Sequence, residues 1–379
     1  QANYWTPKPV IPYVIGRGCY WGRCSFCDIP IGYDYSISRM SEILLKHPVI
    51  RGDTHSSRRK RSFDRVIGDL AYLSKTHGTT YFSFGDEELD SELLKAFSRE
   101  LSDNGLSLDF ECYSRIEPIY ADNGQDFCRK LRDSGCRFLQ FGLESVSGKV
   151  LMRNRKLPET YTQSDLGQIF RNTYEAGIMN HAFILVGLPG DSLIEASRLV
   201  PFLEQYAKYL TTIKPIHHKV SKWSPIALDP RSYNLILDQK TTGDLEANIH
   251  VSEHSPGMSR KKAEAFVRFL DLWIRKYHRV NVATSQYIYA QRLFLTREEL
   301  DDMSARFEQS STIDSHDDRY LHKVYSGLVE EFRRRSEPTS EETVEKRQAF
   351  AELYSQFASR SPRDFADVLA IVHAAAASR

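Results

Sequence analysis

Three cysteines close to the start of the chain have the spacing of a metal centre rather than of a disulfide. Cys19, Cys24 and Cys27 lie in the run GRGCYWGRCSFCDIP, with four residues between the first two and two between the last two. A disulfide always leaves one of three thiols over, whereas three thiolates can bind one centre. Zinc needs a fourth ligand at a comparable spacing, and the next histidine, His47, is twenty residues further on. A 4Fe–4S cluster held by three cysteines keeps one iron open for a small molecule, which favours a catalytic cluster over an electron carrier.

The composition is typical of an enzyme that neither crosses a membrane nor binds nucleic acid. The 379 residues carry a formal net charge of +1, which gives no electrostatic reason for a nucleic-acid or membrane partner. No apolar run approaches the roughly 20 residues of a membrane span. The other cysteines, Cys112, Cys128 and Cys136, fall in predicted strands and helices and are interpreted as small buried hydrophobic residues. Because a three-thiolate site does not survive disulfide chemistry, the sequence predicts a reducing, cytoplasmic location.

Short apolar runs alternate with helix-period segments over the first 226 residues. The predicted strands are residues 12–16, 80–85, 108–114, 137–144, 181–188 and 216–223, and the predicted helices are residues 63–76, 91–103, 125–133, 163–175 and 193–210. Such alternation predicts parallel strands with right-handed crossovers. The sequence therefore predicts an α/β fold, a partial (β/α)6 TIM-like barrel, in residues 1–226. Active sites of parallel barrels lie at the C-terminal ends of the strands, and the three cysteines follow the first predicted strand.

The cysteine run, together with the loops after several later strands, resembles the radical S-adenosylmethionine (SAM) superfamily over residues 8–225. The run has one residue more than the common Cys-x3-Cys-x2-Cys spacing of that family. The resemblance implies that Cys19, Cys24 and Cys27 ligate a 4Fe–4S cluster and that SAM chelates the open iron of the cluster.

Two further motifs of this resemblance imply contacts to SAM. After the second predicted strand, FGDEE stands where the family has a Gly-Gly-Glu-like turn, so Gly85, Asp86 and Glu87 are expected to hold the amino group of SAM. After the fourth predicted strand, GLESVSGKV places Glu144 and Ser145 at positions that contact the ribose or the carboxylate of SAM.

The remaining SAM contacts come from the fifth and third predicted strands. The run ILVGLPGD places Val186 and Gly187 in a backbone segment that lies near the adenine in the family. Arg115, in CYSRIEP, ends the third strand and is a candidate partner for the SAM carboxylate. The alternative interpretation of Arg115 is a surface ion pair.

The chemistry of the family implies the function. An electron from the reduced cluster breaks a carbon–sulfur bond of SAM, and the resulting 5′-deoxyadenosyl radical removes a hydrogen atom from the substrate. The protein binds and orients the reactants and excludes water. The resemblance thus implies a radical SAM enzyme that functionalises an unactivated C–H bond of a small-molecule or peptide natural product, by methyl transfer or another modification. It also implies an electron donor such as flavodoxin or ferredoxin, and it assigns no catalytic residue.

Within the superfamily, the amino-acid sequences of the motifs resemble those of the cobalamin-dependent branch. The runs PVIPYVIGRGCYWGRCSFCD, RRKRSFDRVIGDL and FSFGDEELD carry this likeness. In that branch a cobalamin-binding domain lies N-terminal to the cysteines, and the 18 residues before Cys19 are too few for such a domain. Cobalamin use therefore stays open, with the domain lost, cut away or supplied by a separate cobalamin-binding chain.

Residues 227–379 contain no cysteine and are predicted to form a mainly helical C-terminal region that packs on the barrel and closes the substrate side. Helical periodicity is clearest in residues 259–277 and 320–332. The basic run at residues 58–61 is interpreted as a solvated loop, with a phosphate or peptide contact as the alternative. Two other functions stay open: a non-catalytic metal or iron–sulfur binding module, and a nucleic-acid-modifying radical SAM enzyme. The helical tail argues against the second, since a basic RNA-binding barrel is expected there.

Overall fold

A computed structural model describes most of the chain. The described residues are 6–29, 58–120, 124–157, 162–237, 248–249, 251–254, 257–277, 293–296, 298–299, 315–338, 341 and 343–358. No helix among them is both long enough and apolar enough to cross a lipid bilayer.

Six parallel strands form the central sheet, and their order in space is their order in the chain. They are β1 (Ile11–Tyr13), β2 (Tyr81–Phe84), β3 (Asp109–Ser114), β4 (Cys136–Glu144), β5 (Met179–Val186) and β6 (Thr212–His217). Three two-stranded pairs flank the sheet: Gly16–Arg17 with Arg59–Lys60, Val220–Ser221 with Asn248–Ile249, and Leu235–Leu237 with Val251–His254. Within the described ranges β1 and β6 pair only with β2 and β5, so the sheet is open.

Helices connect the strands and then continue into the C-terminal region. They are α1 (Phe63–His77), α2 (Ser91–Asp103), α3 (Gly124–Asp133), α4 (Gly148–Arg153), α5 (Gln163–Glu175), α6 (Leu193–Ser197), α7 (Leu199–Tyr206), α8 (Pro225–Leu228), α9 (Arg260–Tyr277), α10 (Ser315–Ser336) and α11 (Val344–Ala358). Side-chain hydrogen bonds cap the N-termini of several helices: Ser62 caps α1, Asp90 caps α2 and Thr162 caps α5. At α5, Asp165 completes a capping box.

The strand order explains why the sheet curls into a partial barrel. Crossovers between parallel strands are right-handed as a rule, and the strand order never reverses, so successive helices fall on one face of the sheet. Consecutive helices accordingly contact one another: α1 with α2, α2 with α3, and α3 with α5. The predicted α/β partial barrel with a mainly helical C-terminal region is confirmed.

Two predicted elements differ from the structure, and prolines explain both. The helix predicted at residues 193–210 divides into α6 and α7 at Arg198. Pro201 has no N–H to donate to the carbonyl of Ser197, so the helix cannot run through. The last strand was predicted at residues 216–223 but begins earlier, at Thr212. It contains Pro215, which a sequence pattern excludes from most strands.

Aromatic side chains fill the space between the sheet and its helices. Phe84 on β2 meets Phe97 of α2 and Phe110 of β3, with ring centroids 5.3 and 5.4 Å apart. Phe141 on β4 meets Phe170 of α5 at 5.6 Å. All five side chains are fully buried, so this face of the sheet is the hydrophobic core.

The C-terminal helices extend the same core. Helix α9 packs against β5 and β6, α10 packs against α9, and α11 packs against α10 and α6. Phe269 of α9, Phe332 of α10 and Phe350 of α11 belong to one cluster with the side chains of the sheet. The domain boundary after residue 226 and the closing of the substrate side by this region stay predictions.

Candidate active site

The three motif cysteines lie on the loop that follows β1, which we call the cluster loop (Gly18–Ile29). All three are free thiols, Cys24 is buried, and the N–H of Cys27 donates to the carbonyl oxygen of Cys24 at 3.2 Å. Burial raises the pKa of Cys19 to about 11 and raises the pKa of Cys27 further. Within the described ranges no three His, Cys, Asp or Glu side chains are already arranged to hold a metal ion. The convergence of the three thiolates on one cluster therefore stays a prediction.

The carboxylates predicted to hold the SAM amino group accept hydrogen bonds from the backbone that leads into this loop. Asp86 accepts hydrogen bonds from the N–H groups of Ile15 and Gly16 at 2.9 and 2.6 Å. Glu87 accepts one from the N–H of Gly18 at 3.0 Å. These acids follow β2, which is the neighbour of β1, so they fix the start of the cluster loop against the sheet. A direct SAM contact by Gly85, Asp86 or Glu87 stays a prediction.

Glu88, the next residue of the same turn, is the carboxylate that the sequence analysis missed. It is 3% exposed, and neither of its carboxylate oxygens has a hydrogen-bond partner within the described residues. Burial raises its pKa to about 7, while the nearby cations Arg58 and Arg115 and a contact with the Cys19 thiol lower it. A buried carboxylate without a partner is costly, so Glu88 is suited to receive a cationic group of a ligand. Its signal in the sequence is the third acid of FGDEELD.

Arg115 lies at the end of β3 and reaches the cluster loop. Its Nη1 is 3.7 Å from Cys24 Sγ, and its Nη2 donates to the carbonyl oxygen of Lys156 at 2.6 Å. The guanidinium lies over the rings of Trp21 and Tyr20, 4.6 and 5.8 Å from their centroids. Although burial lowers the pKa of Arg115, the neighbouring Cys24 and Cys19 thiols raise it above its usual value. The surface ion pair considered for Arg115 is wrong, because the side chain is buried against a thiol.

The loop aromatic residues have polar anchors of their own. Tyr20 Oη donates to Glu117 Oε1 at 2.6 Å, and Trp21 Nε1 donates to the carbonyl oxygen of Arg155 at 2.6 Å. Glu117 also accepts from the N–H of Ser91, the first residue of α2, at 3.1 Å. These contacts tie the cluster loop to the segments that follow β3 and α4, in addition to the turn after β2.

Glu144 ends β4 in a strained conformation, with φ +61°. Its Oε1 is 3.2 Å from Lys156 Nζ, and both side chains are buried. This ion pair lies over Gly142, where a Cβ would come within 2.5 Å of Glu144 Oε1 and 2.7 Å of Lys156 Nζ. Ser145 is buried beside it, with its hydroxyl accepting from the N–H of Ser147 at 3.1 Å. Lys156 was not predicted as a site residue; its only sequence signal is the RNRK run after this motif.

The segment predicted to lie near adenine ends β5 and turns sharply. Val186 accepts from the N–H of His218 at 2.8 Å, and the N–H of Gly187 donates to Asp191 Oδ2 at 2.8 Å. Asp191 is 2% exposed, its Oδ1 has no hydrogen-bond partner within the described residues, and burial raises its pKa to about 7. Asp191 thus holds the shape of this turn, a role that the sequence analysis missed.

The face of the sheet opposite the helices, which we call the inner face, carries polar side chains. Glu111 accepts from Ser83 Oγ at 2.7 Å and from Gln140 Nε2 at 3.5 Å, and His181 Nδ1 lies 2.5 Å from Thr212 Oγ1.

Nearer the C-terminal ends of the strands, the inner face carries aromatic side chains. Tyr113 stacks on Phe183 with ring centroids 6.0 Å apart, and 37% of Tyr113 is exposed. The inner face therefore leads from a buried carboxylate to an open aromatic platform.

The predicted site residues thus gather at the C-terminal ends of β1 to β5, as expected for a parallel barrel. A model of the Radical SAM superfamily matches residues 13–202, just over half of the chain. The chain belongs to the radical SAM superfamily. The predicted resemblance is confirmed, and no curated protein is significantly similar in sequence.

Solved structures that this chain resembles include cobalamin-dependent radical SAM enzymes. OxsB, described as a cobalamin-dependent SAM radical enzyme and solved with aqua-cobalamin and SAM bound, is 13% identical with a TM-score of 0.53, over 97% of this chain and 55% of that one. TsrM from Kitasatospora setae, a radical SAM methyltransferase solved with cobalamin and a [4Fe-4S] cluster, is 17% identical with a TM-score of 0.46, over 62% and 40%. The chain thus spans about half the length of these proteins or less, and the likeness to OxsB shows the fold.

Proposed function

We propose that this radical SAM chain uses a 4Fe–4S cluster to cleave SAM and functionalise an unactivated C–H bond of a small-molecule or peptide natural product. The observation that supports this best is the buried, unpartnered carboxylate of Glu88 beside Cys19, at the strand ends where Arg115 reaches Cys24. The three cysteines can ligate a cluster, and the adjacent Glu88 carboxylate can accept the ammonium group of a ligand.

The residues fit a cluster with one open iron. The three thiols lie on one loop anchored to the segments after β2, β3 and α4, and the buried cation of Arg115 offsets the negative charge that three thiolates bring together. Tyr20 and Trp21 cover Arg115 and limit the access of water. Such a cluster supplies the electron that cleaves bound SAM, and every other task falls to the protein.

We propose that Glu88 accepts the ammonium group of SAM, because it is the acid of its turn that no backbone N–H already occupies. Glu144 and Lys156 form a buried pair that can bind the ribose hydroxyls and the carboxylate of SAM. Val186 and Gly187 would then border the adenine. Arg115 would act mainly on Cys24.

The substrate is proposed to lie on the open part of the inner face. Tyr113, Ile216 and Trp223 are exposed there or nearby, at 37%, 42% and 37%. Apolar and aromatic surface of this kind suits a small molecule or a peptide side chain. Methyl transfer is the specific outcome that the cobalamin-dependent branch suggests, and a cobalamin supplied by another chain or segment is part of that proposal.

Anaerobic reconstitution with iron and sulfide tests the cluster. We expect one 4Fe–4S cluster per chain, lost in Cys19→Ala, Cys24→Ala and Cys27→Ala and retained in the core variant Cys128→Ala. Reduction with dithionite should then cleave SAM to 5′-deoxyadenosine or consume it in methyl transfer. Stoichiometric zinc, with no cluster after reconstitution, would instead support a non-catalytic metal module.

A second experiment separates the cobalamin-dependent outcome from the others. SAM consumption and methyl transfer are measured with and without added hydroxocobalamin, and binding of cobalamin to the chain is measured by equilibrium dialysis. We expect SAM cleavage without cobalamin. Saturable cobalamin binding at micromolar concentration or below would place a cobalamin site on this chain, and no binding would leave that site to another chain or segment.

A further inference from the structure

The turn that ends helix α4 binds the cluster loop between two of its cysteines. We call residues Asn154–Lys156 the α4 turn. The N–H of Ser25 donates to the carbonyl oxygen of Asn154 at 3.0 Å, and the hydroxyl of Ser25 donates to Asn154 Oδ1 at 2.9 Å. Because Ser25 lies between Cys24 and Cys27, this pair of bonds fixes the segment that carries the last two cysteines of the motif.

The side-chain amide of Asn154 joins three parts of the molecule. Its Oδ1 accepts from the cluster loop at Ser25. Its Nδ2 donates to the carbonyl oxygen of Val150 in α4 at 2.8 Å and to that of Pro189, in the turn after β5, at 2.9 Å. Asn154 and Ser25 are fully buried, so water does not compete for these bonds. One amide group therefore bridges the cluster loop and the turn after β5.

The backbone of the α4 turn has a conformation that glycine usually provides. The N–H of Arg155 donates to the carbonyl oxygen of Met152 at 2.9 Å, and the N–H of Lys156 donates to that of Leu151 at 2.8 Å. This is the hydrogen-bond pattern of a Schellman helix end. Arg155 has φ +53°, which is unfavourable for a residue with a Cβ and recurs at functional sites where other contacts hold it. Here the carbonyl oxygen of Arg155 accepts from Trp21 Nε1 in the cluster loop at 2.6 Å.

Lys156 extends these contacts to the ends of β3 and β4. Its carbonyl oxygen accepts from Arg115 Nη2 at 2.6 Å, and its Nζ is 3.2 Å from Glu144 Oε1. Each residue of the α4 turn thus contacts a different part of the candidate active site. The end of a helix requires none of these contacts, so they indicate a role in arranging the site.

We propose that Asn154 is a positioning residue that sets the separation between the 4Fe–4S cluster and the adenosyl group of SAM. The proposal rests on the proposed function, in which the loop around Ser25 binds the cluster and Val186 and Gly187 border the adenine. Because the oxygen of one amide binds the cluster loop and its nitrogen binds the turn after β5, loss of this amide lets the two segments move apart. A displacement of about 1 Å can lower a reaction rate about a hundredfold.

The first test uses the metal-free chain and requires no activity. Native-state hydrogen exchange measures the protection of the Ser25 N–H, which is bonded to the carbonyl oxygen of Asn154. In Asn154→Ala this backbone bond remains possible, but the side-chain bonds to Ser25 and Pro189 are lost. We expect the Ser25 N–H to exchange at least about tenfold faster, because the loop then opens more readily.

Asn180 offers a matched control. It is also fully buried, and its Nδ2 also donates to two carbonyl oxygens, those of Phe170 and Tyr209, at 3.0 and 2.9 Å. It is the second residue of β5, at the strand end opposite the candidate active site. After correction for global stability, measured by urea denaturation, Asn180→Ala should change exchange of the Ser25 N–H less than about threefold. Equal acceleration in Asn180→Ala and Asn154→Ala would reflect general destabilisation and overturn the proposal.

The second test uses the reconstituted chain. Asn154→Ala keeps all three cysteines and the proposed SAM contacts, so cluster content and SAM affinity should stay within about threefold of those of the unmodified chain. The rate of SAM cleavage with dithionite at saturating SAM should fall at least about tenfold. The electron paramagnetic resonance spectrum of the reduced cluster should respond differently to added SAM. Asn180→Ala should keep the cleavage rate within about twofold.

Two results of the second test would overturn the positioning role. One is an unchanged cleavage rate and an unchanged spectral response in Asn154→Ala. The other is a loss of SAM affinity with an unchanged rate at saturation, which would make Asn154 a contributor to binding alone. Failure of the unmodified chain to form a cluster or cleave SAM refutes the proposed function instead, and the exchange measurement does not depend on that result.

Ser25→Ala provides the milder variant if Asn154→Ala does not fold. It removes the hydroxyl that donates to Asn154 Oδ1 and leaves the bond from Asn154 Nδ2 to Val150 in place. We expect faster exchange at residue 25 and slower SAM cleavage, each by a smaller factor than in Asn154→Ala. Exchange and cleavage rates equal to those of the unmodified chain would overturn the proposal.

Discussion

The two faces of the sheet carry opposite kinds of side chain. The helix-covered face has Phe84, Phe110 and Phe141, all fully buried in edge-to-face contacts. The inner face has Glu111 and His181 in hydrogen bonds, and an exposed aromatic platform at Tyr113. Because neighbouring residues of a strand point to opposite faces, one stretch of chain serves both. The comparison teaches that stability and function are separated by alternation along each strand, rather than by domain.

The largest expected effect tests the stabilising face. Phe141→Ala removes a ring that contacts Phe170 and Tyr120 at 5.6 and 5.3 Å, and should lower the free energy of unfolding by about 3–5 kcal/mol. Phe183→Ala, on the inner face, should cost only about 0.5–1.5 kcal/mol, the worth of an aromatic pair. Urea denaturation of both variants measures the difference. Equal losses in the free energy of unfolding would mean that both faces of the sheet contribute equally to stability.

A buried charge at the strand ends should cost stability in a pH-dependent way. The pKa of Asp191 is raised by burial from 3.8 to about 7, so the folded protein binds a proton more readily than the unfolded chain between these values. Stability should therefore fall as pH rises from about 4 to 7, by at most about 4 kcal/mol.

Asp191→Asn removes this titration and keeps an acceptor for the N–H of Gly187. The variant should be more stable than the unmodified chain at pH 8, and the difference should shrink towards pH 4. Thermal unfolding of both proteins between pH 4 and pH 8 measures this difference. Parallel profiles of stability against pH would show that Asp191 does not cause the pH dependence.

A smaller effect is expected in SAM binding. Glu88→Gln removes the charge proposed to receive the SAM ammonium group, and a charge-assisted hydrogen bond is worth about 1.5–3 kcal/mol, or roughly tenfold to a hundredfold in affinity. Anaerobic calorimetry with reconstituted protein measures the affinity. Glu92→Gln is the control, since Glu92 is 78% exposed on the next helix and should leave affinity unchanged. Unaltered binding in Glu88→Gln would reassign the ammonium site to Glu87.

The smallest expected change concerns the reduction potential of the cluster. Arg115 places a positive charge beside Cys24 Sγ, which favours the more negative, reduced cluster. Arg115→Gln should lower the midpoint potential by roughly 60 mV, equivalent to about 1.4 kcal/mol for one electron. Arg115→Lys should restore part of it. A redox titration followed by electron paramagnetic resonance measures both variants, and identical potentials would assign Arg115 a purely structural role.

The sequence predicted the periodic parts of this molecule well, because period and capping are local properties. Five of the six strands and the helices α1, α2, α3 and α5 lie within a few residues of their predicted positions. Pro201 and Pro215 produced the errors, since their effect depends on which donor the chain needs at that point.

The predicted site was limited by contacts that no local pattern encodes. Motif spacing placed the acids after β2 correctly, but it could not show that Asp86 and Glu87 bind backbone N–H groups while Glu88 has none. The same holds for Lys156, which reaches Glu144 only because Gly142 leaves room above the strand. Such pairings depend on side chains brought together by the whole fold.

The order of strands in the sheet also bears on how the chain folds. Phe82 of β2 pairs with Phe110 of β3, and Ile11 of β1 pairs with Phe82. The second pairing spans more than twice as many residues of the chain as the first. Closing a longer loop costs more entropy, so we expect β2 to β6 to assemble first and β1 to join a formed edge. The cluster loop would then take its position only after β2 to β6 have paired. Pulse-labelled hydrogen exchange that protects Tyr13 before Phe110 would contradict this order.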